Sequence, residues 1–347
     1  MENKIKKGFY TTEYFKKTKK ILINNEMHNE TTMQFYCLKC NDYMLSGIEE
    51  IKKVLLNNFK KEELEKLEFY FRNDGEIINR NEPVISITGD YSLLCQYENI
   101  FNSILCRNSS VATNSYELSK VVNLEKIINM NERSDHYSLQ EIDGYSSWLS
   151  GIKLFTTDAQ VNLINDKAVK VIGTLPHAIF QQFRNNVKEI IEKYNELFSD
   201  LILLIDFEND VIKTLESIKN YFHLLKGVRI DTSINLIDKS IEKLNILDNE
   251  KYGVNIHLIN LVRNFLDQNN GNHIKIVISS GLNLEKIKEL EELKAPVNFY
   301  GVGAYFNGQS THFTCDLVKI NGDNFAKIGR KYLDTKKMYL WNFKDEK

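Results

Sequence analysis

Seven short apolar runs between residues 127 and 300 constrain the fold of the chain most, because each stops at a polar or small residue suited to chemistry. They are residues 127–130, 154–155, 169–172, 201–205, 228–230, 274–278 and 297–300. Most are followed by an amphipathic helical stretch, and this alternation predicts a parallel sheet whose strands are buried on both faces. In a β/α barrel the residues that follow the strands meet at one end, where the active site lies. The pattern therefore favours an enzyme.

The bulk composition agrees with a soluble globular enzyme. A chain of 347 residues is long enough for a full barrel and one smaller domain. The formal charge of −2 gives no reason to expect nonspecific binding to nucleic acid or to an anionic membrane. No apolar run approaches the roughly 20 residues that span a bilayer, and residues 1–7 do not begin a secretory signal. Five cysteines, with Cys37 and Cys40 as a lone CxxC, predict free thiols in a reducing, cytoplasmic setting and no zinc site.

The first 90 residues have the patterning of an α+β unit. Helices are predicted at 12–23 and 48–57, and strands at 31–37 and 83–88. A long helical pattern then covers residues 91–123.

A β-hairpin is predicted after the last strand–helix repeat. Residues 316–320 and 325–328 flank Asn321-Gly322, a favoured hairpin turn. Because a hairpin does not belong in a β/α repeat, we expect it to return to the first domain. The predicted domains are residues 1–110 with 312–347, an α+β domain completed by this hairpin, and residues 111–311, the barrel that carries the active site.

Charged residues end two neighbouring strands of the predicted barrel. Arg229 and Asp231 are alternate residues, so their side chains share one side of the strand end. Arg binds carboxylates or phosphates with two donors, and Asp binds sugar hydroxyls or magnesium. A buried structural ion pair would give the same pattern. Asp206 adds a second acid, or it caps the helix that follows.

Small residues and a histidine follow the remaining strands. Ser279-Ser280-Gly281 and Gly301-Val302-Gly303-Ala304 are small turns that expose backbone N–H groups at the last two strand ends, where barrels often bind phosphate. His177 follows Pro176, a residue that favours the first position of a helix. An imidazole at a helix N-terminus serves as a base, a phosphate ligand or a nucleophile. Arg133, near another strand end, is a candidate anion-binding residue, and the nearby His136 is a candidate acid or base.

Ten short segments, in this order, are similar to those of nicotinate phosphoribosyltransferases. They are YTTEYF (10–15), GDYSL (89–93), VATN (111–114), DGY (143–145), TTDAQ (156–160), GTLPHA (173–178), LIDFEND (204–210), GVRIDTS (227–233), IVISSG (276–281) and YGVGA (300–304). The resemblance implies the type II phosphoribosyltransferase fold: an irregular β/α barrel with a second α+β domain built from both chain ends.

The same resemblance implies an activity in NAD biosynthesis. Nicotinate and phosphoribosyl pyrophosphate would give nicotinate mononucleotide and pyrophosphate, with ATP hydrolysed through a phosphohistidine. ATP is then a co-substrate and Mg²⁺ the expected metal. A homodimer with shared active sites is also implied, in which Tyr14 of one subunit stacks on the base bound by the other.

The resemblance assigns roles to individual residues. His177 corresponds to the histidine that is phosphorylated. Asp206, Arg229 and Asp231 correspond to the catalytic residues that surround the ribose, pyrophosphate and base carboxylate, and the two acids to magnesium ligands. The remaining substrate-binding positions are Tyr14, Arg133, Thr157 and Asp158, together with the phosphate-binding Ser280, Gly281, Gly301 and Gly303.

Three departures from the family pattern affect the base-binding region. Thr12 stands where an acid is usual, Met130 where relatives tend to have an aromatic ring, and Ser134 where some have Phe. Three alternatives remain. Nicotinamide phosphoribosyltransferase fits if Asp158 accepts a hydrogen bond from an amide, whereas quinolinate phosphoribosyltransferase calls for a denser basic pocket. A catalytically inactive paralogue that binds a phosphorylated metabolite is the third.

Overall fold

A computed structural model describes residues 4–38 and 42–345. The strands are β1 (Glu30–Cys37), β2 (Asp42–Met44), β3 (Glu68–Phe71), β4 (Ile77–Asn79), β5 (Pro83–Asp90), β6 (Ile127–Asn129), β7 (Leu154–Phe155), β8 (Lys170–Val171), β9 (Ile202–Leu204), β10 (Gly227–Ile230), β11 (Lys275–Ile278), β12 (Phe299–Val302), β13 (Phe313–Ile320), β14 (Asp323–Asn324) and β15 (Tyr339–Leu340). The helices are α1 (Glu13–Asn24), α2 (Ile48–Asn58), α3 (Lys61–Leu64), α4 (Tyr91–Leu94), α5 (Glu98–Ser119), α6 (Gln140–Trp148), α7 (Asp158–Val161), α8 (His177–Gln182), α9 (Val187–Asn195), α10 (Val211–Ile218), α11 (Ile256–Gln268) and α12 (Leu284–Glu292). Cys40, the second cysteine of the CxxC pair, lies outside the described residues.

The chain divides into two compact units, Met1–Tyr116 with Gln309–Lys347 and Glu117–Gly308. The first unit contains an antiparallel sheet of six strands in the order β14-β13-β1-β5-β3-β15. Alternate residues of β1, including Met33 and Phe35, face a core that also takes apolar side chains from α2 and α5. On α2 these are Ile48, Ile51 and Leu55, whose spacing places them on one helical face.

Both chain ends contribute to this sheet, as the sequence predicted. Strand β13 pairs antiparallel with β1, with Cys315 opposite Phe35. Asn321 and Gly322 form the predicted two-residue turn, both with positive φ (50° and 86°).

The second arm of the hairpin differs from the prediction. It is Asp323–Asn324, directly after the turn, and not residues 325–328. Phe325 and Ile328 are 69% and 100% exposed, so these apolar side chains bury too little surface to extend the strand.

The second unit is built on a parallel sheet of seven strands that curls into a half-barrel. Its order is β8-β7-β6-β12-β11-β10-β9, and every neighbouring pair is parallel. All seven predicted runs therefore overlap a strand of this sheet. The last strand extends two residues beyond the predicted run, to Val302, because Gly301 pairs with Ile128 of β6.

Amphipathic helices cover the sheet of the second unit. On α10 the buried residues Val211, Leu215 and Ile218 recur at helical spacing, and on α11 Leu258, Ile259, Val262 and Leu266 do the same. Among the described helices, none is both long and apolar enough to cross a lipid bilayer.

Candidate active site

The carboxyl ends of β9, β10 and β11 bring together the charged residues that the sequence singled out. Arg229 on β10 lies opposite Leu204 of β9 and Val277 of β11. Asp206 and Ser279 follow these neighbouring strands by one or two residues. Since parallel strands end at the same edge of a sheet, the side chains of Asp206, Arg229, Asp231 and Ser279 meet there.

The guanidinium group of Arg229 is held at three points. Its Nε donates to Ser279 Oγ (2.9 Å), its Nη1 donates to Thr174 Oγ1 (2.7 Å), and its Nη2 pairs with Asp231 Oδ2 (3.1 Å). The side chain is 17% exposed. Because each terminal nitrogen carries two N–H groups, both keep at least one donor for an anion.

Ser279 and Thr174 hold this arginine, and the sequence predicted no side-chain role for either residue. The Ser279 hydroxyl donates its single proton to Asp231 Oδ1, so its oxygen is the acceptor for Arg229 Nε. Both residues belong to segments that carry the family resemblance, and both follow strands of the parallel sheet. The signal was therefore present, but hydroxyl groups are too common at strand ends to stand out.

Asp206 connects the arginine cluster to the histidine. Its Oδ1 lies 3.2 Å from His177 Nε2, and its Oδ2 accepts a hydrogen bond of 3.2 Å from the Asp231 amide. Burial raises the pKa of the Asp206 carboxyl above its ordinary value, while His177 acts in the opposite direction and the neighbouring Asp231 adds to the rise. Asp210, and not Asp206, caps helix α10 by accepting from the Lys213 amide, so the alternative of Asp206 as a helix cap does not hold.

His177 is the first residue of α8, and its side chain is 43% exposed. Pro176 has an extended backbone and precedes the helix as its cap, one position earlier than predicted. The imidazole therefore lies at a helix N-terminus, with one ring nitrogen beside a buried carboxylate.

The four small residues expected to hold a phosphate differ in the space around them. Ser280 and Gly281 have consecutive positive φ values (80° and 66°), and nothing lies within 4 Å of a Cβ placed at Gly281. A Cβ at Gly301 would lie 2.6 Å from Met130 Sδ, and one at Gly303 would lie 3.0 Å from the Met130 carbonyl oxygen. Open space is therefore found at Gly281, whereas Met130 packs close to the other two glycines.

The ends of β6 and β7 carry the residues expected near the base. Arg133 is exposed and, within the described residues, has no hydrogen-bond or ion-pair partner. Asp158 is the exposed first residue of α7. Thr157 caps that helix and donates to Gln140 Oε1 (2.9 Å). His136 is exposed, and its ring caps the turn at Tyr137–Leu139.

A buried network of amide side chains underlies these residues and was not predicted. Gln160 Nε2 donates to Asn129 Oδ1 (3.2 Å) and Asn131 Oδ1 (3.0 Å), and Gln160 Oε1 accepts from the amides of Thr156 and Thr157. Asn131 also donates to Asp143 (3.3 Å). We call Asn129, Asn131, Asp143 and Gln160 the amide network. Gly144 lies against it, because a Cβ there would come within 1.9 Å of the Gln160 carbonyl oxygen.

Tyr14 belongs to the first unit, on α1, where its side chain is 62% exposed and packs against Phe15. Thr12 precedes this helix, but its side chain makes no capping hydrogen bond. Ser134 lies 3.4 Å from the position of a Cβ at Gly303.

The two acids expected to bind magnesium, Asp206 and Asp231, lie close together but belong to no larger group of metal-binding side chains among the described residues. The described residues contain no group of three or more His, Cys, Asp and Glu side chains arranged for a metal. Asp206 and Asp231 are adjacent, but each carboxylate oxygen already has a protein partner. Mg²⁺ is often held by one or two carboxylates plus substrate phosphates and water. The pair fits that kind of site and does not fit a site made by protein alone.

Comparisons with known proteins agree with this architecture. The family model of the quinolinate phosphoribosyl transferase N-terminal domain matches residues 12–109. The nicotinate phosphoribosyltransferase of Bacillus subtilis (strain 168) is 23% identical over 235 residues, which are 67% of this chain and 44% of that protein. The chain thus matches less than half the length of that relative.

Solved structures share the fold over nearly the whole chain. Nicotinate-nucleotide pyrophosphorylase from Pyrococcus furiosus has a TM-score of 0.79 and 24% identity, with 95% of this chain and 80% of that one covered. Human nicotinic acid phosphoribosyltransferase has a TM-score of 0.69 and 12% identity, with 91% and 76% covered.

A curled parallel sheet and a second, antiparallel sheet domain together have the architecture of a type II phosphoribosyltransferase. The chain shares this fold with the two solved structures, and its residues 12–109 match the quinolinate phosphoribosyl transferase N-terminal domain. The chain is similar to a protein named for nicotinate and to a domain family named for quinolinate.

Proposed function

We propose that the protein is a nicotinate phosphoribosyltransferase that forms nicotinate mononucleotide and pyrophosphate, coupled to ATP hydrolysis. The observation that carries the proposal is a cluster of four side chains at the carboxyl ends of β9 and β10 and the start of α8. They are His177, Asp206, Arg229 and Asp231. The similarity to the Bacillus subtilis enzyme supports it. The function belongs to NAD biosynthesis and to a cytoplasmic setting.

The transfer step needs a cation beside the departing pyrophosphate and negative charge beside the ribose. The pyridine nitrogen attacks C1 of the ribose with its lone pair, and the bond from C1 to the pyrophosphate oxygen breaks with its electrons going to that oxygen. Arg229 offers its remaining N–H groups to an anion, and Asp231 and Asp206 favour positive charge developing on C1. Ser279 and Thr174 keep the arginine in one orientation, so little reorganisation is required.

The ATP step is assigned to His177. With the Nε2 proton directed to Asp206, Nδ1 keeps its lone pair and is the nucleophile. It attacks the γ-phosphorus of ATP, the bond to the β,γ-bridging oxygen breaks, and ADP leaves with the electron pair. Water later hydrolyses the phosphohistidine to phosphate and restores the imidazole. A phosphate on His177 would lie at the start of α8, where backbone N–H groups favour an anion.

Mg²⁺ is proposed to accompany the substrate phosphates, with Asp206 and Asp231 as its nearest protein carboxylates. It would neutralise charge on the pyrophosphate as that group leaves. Ser280 and Gly281, with Gly301 and Gly303 beyond them, are proposed to hold the ribose 5′-phosphate through backbone N–H groups.

Base recognition is proposed to fall to the ends of β6 and β7. Arg133, which lacks a partner among the described side chains, would bind the nicotinate carboxylate, with Thr157 and Asp158 beside it.

Tyr14 is proposed to stack on the base from a second copy of the chain, in a homodimer. Mixing inactive Tyr14→Ala and Asp231→Ala chains should then restore one good site per heterodimer, and no recovery despite proven subunit exchange would exclude shared sites.

Quinolinate phosphoribosyltransferase is the second candidate, because the family model that matches residues 12–109 carries that name. A dicarboxylate needs more cations than one unpaired arginine provides, which favours nicotinate.

The deciding experiment incubates the protein with phosphoribosyl pyrophosphate, Mg²⁺ and one of nicotinate, nicotinamide or quinolinate, with and without ATP. Formation of nicotinate mononucleotide from nicotinate, with no product from nicotinamide or quinolinate, supports the proposal. Release of carbon dioxide from quinolinate overturns it, as would turnover of nicotinamide in preference to nicotinate.

The ATP step has its own test. His177→Ala should lose ATP hydrolysis and ATP stimulation but keep slow, ATP-independent synthesis, because transfer relies on the acids, Arg229 and the phosphate-binding turns. Acid-labile label from γ-labelled ATP should appear on the parent protein only. Label on the variant would assign the phosphate to another residue.

A further inference from the structure

The histidine and the arginine of the site are connected by a closed ring of contacts. In one direction, His177 contacts Asp206, Asp206 accepts from the Asp231 amide, and Asp231 pairs with Arg229. In the other direction, Arg229 donates to Thr174, which lies three residues before His177 in the chain. We call this the His177–Arg229 ring.

The Thr174 side of the ring is a short connection, because only two residues separate Thr174 from His177. Residues 172–176 have no regular structure between β8 and α8. Pro176 has φ near −80° and restricts the conformation of the residue before it, which reduces the freedom of the chain between Thr174 and His177. Around Gly173 nothing lies within 4 Å of a built Cβ, so space exists on this segment for movement. The 2.7 Å hydrogen bond from Arg229 is therefore a strong restraint on where the segment sits.

A charge change at His177 must alter the ring. A phosphate group carries about −1.5 to −2 charge at neutral pH. The phosphate group would be repelled by the buried Asp206 carboxylate and attracted to the Arg229 guanidinium. These are the charged groups that follow His177 in the two directions around the ring. Because Thr174 joins the histidine segment to Arg229, a shift of α8 would be passed to the arginine that we assign to pyrophosphate.

We propose that Thr174 is a positioning residue that couples the phosphorylation state of His177 to the orientation of Arg229. The inference rests on the proposed function and adds to it the route by which ATP use affects transfer. Its chemical requirement is narrow: a hydroxyl oxygen at position 174 that accepts from Arg229 Nη1. Valine has nearly the shape of threonine but lacks this acceptor, whereas serine retains it.

The test compares the parent protein with Thr174→Val, Thr174→Ala and Thr174→Ser. Two quantities are measured: the stimulation of nicotinate mononucleotide synthesis by ATP, and the moles of ATP hydrolysed per mole of product. Loss of the hydroxyl should reduce the stimulation about tenfold, the effect of one lost hydrogen bond to a charged group, and raise the ATP used per product. Acid-labile label should still appear on His177 in Thr174→Val, and Thr174→Ser should behave like the parent protein. Circular dichroism and thermal melting identify any variant whose fold has changed.

Failure of the inference can be told apart from failure of the proposed function. If the parent protein couples ATP to synthesis and Thr174→Val and Thr174→Ala couple equally well, the inference is wrong and the proposed function stands. The inference is also wrong, with the proposed function intact, if Thr174→Ser is uncoupled like Thr174→Val. If the parent protein forms product but neither hydrolyses ATP nor takes up label, the ATP step of the proposed function is overturned, and the inference with it.

Discussion

The His177–Arg229 ring and the amide network lie at two parts of the same sheet edge, but they are built from different chemistry. In the ring, charged groups are partly buried and each is paired with another member of the site. In the amide network, the buried groups are mostly neutral, and the charged Arg133 and Asp158 above it are exposed. Charged groups that are already held in place suit a reaction step in which charge develops. An exposed charged side chain supported by a rigid, neutral network suits recognition of a substrate. The difference predicts different responses to mutation.

The largest effect on activity is expected for Arg229→Met. This change removes the cation of the ring and leaves Asp231 and Asp206 adjacent without compensation. We expect kcat/KM to fall by about three orders of magnitude, comparable to loss of a key transition-state donor. Steady-state kinetics with phosphoribosyl pyrophosphate and nicotinate measure it. A loss of less than tenfold would show that the ring is not the catalytic part of the edge.

The rigidity of the amide network is tested by Gly144→Ala. A methyl group at this position would collide with the Gln160 backbone, so we expect the free energy of unfolding to fall by about 3 kcal/mol, or the variant to fail to fold. Gly173→Ala is the matched control, because open space surrounds that position. Its stability should stay within about 0.5 kcal/mol of the parent protein. Equal melting temperatures for the two variants would contradict the close packing at Gly144.

A smaller and more selective effect is expected for Arg133→Met. Because Arg133 has no partner among the described residues, its removal should leave the melting temperature unchanged. We expect the KM for nicotinate to rise about tenfold, the effect of one hydrogen-bonded charge pair, while the KM for phosphoribosyl pyrophosphate changes little. If instead kcat falls and both KM values hold, Arg133 acts in the chemical step and the contrast between the two regions is lost.

The smallest effect is a pH dependence of stability at Asp206. Burial raises the pKa of this carboxyl in the folded protein, so folding favours its protonated form. The contribution of protonated Asp206 to the free energy of unfolding is complete below the ordinary pKa of an aspartate. It is lost as the pH rises through the raised pKa of Asp206 in the folded protein. Relative to the parent protein, Asp206→Asn should therefore gain stability between about pH 4 and pH 7. Chemical denaturation at the two pH values measures the difference, and a constant difference would mean that burial does not dominate at this site.

The strands of the parallel sheet, and β1 and β5 of the antiparallel sheet, were predictable because each depends on apolar residues with a clear pattern, whereas β3 and β15 were not predicted. The seven parallel strands were found from continuous apolar runs, and β1, β5, α1 and α2 from periodicity, each within about two residues of its bounds. The turn at Asn321-Gly322 followed from the preference of these two residues for positive φ. The second strand of the hairpin was predicted two residues too late because Phe325 and Ile328 are apolar but exposed. A sequence does not show which apolar side chains are buried against another part of the protein.

The site was predictable in its charged residues and not in its neutral ones. Asp206, Arg229 and Asp231 stood out because charge is rare at the ends of buried strands, and the structure brings them together with His177. The side-chain roles of Thr174, Ser279 and Gln160 were not predicted because hydroxyl and amide groups are frequent at loops and caps. Their importance arises from contacts across 50 or more residues in the first two cases and 29 to 31 in the third, which no local pattern contains.

The pairing of β1 with β13 has a consequence for the order in which the chain acquires its structure during synthesis. Strand β1 is made early, but its neighbour β13 is almost 300 residues later in the sequence. All seven strands of the parallel sheet leave the ribosome before β13 does, so the central unit can fold while the first sheet still lacks a strand. Throughout that interval β1 has one unpaired edge, which is open to pairing with a foreign chain. Nascent chains arrested before residue 313 should therefore depend on a chaperone more than completed ones.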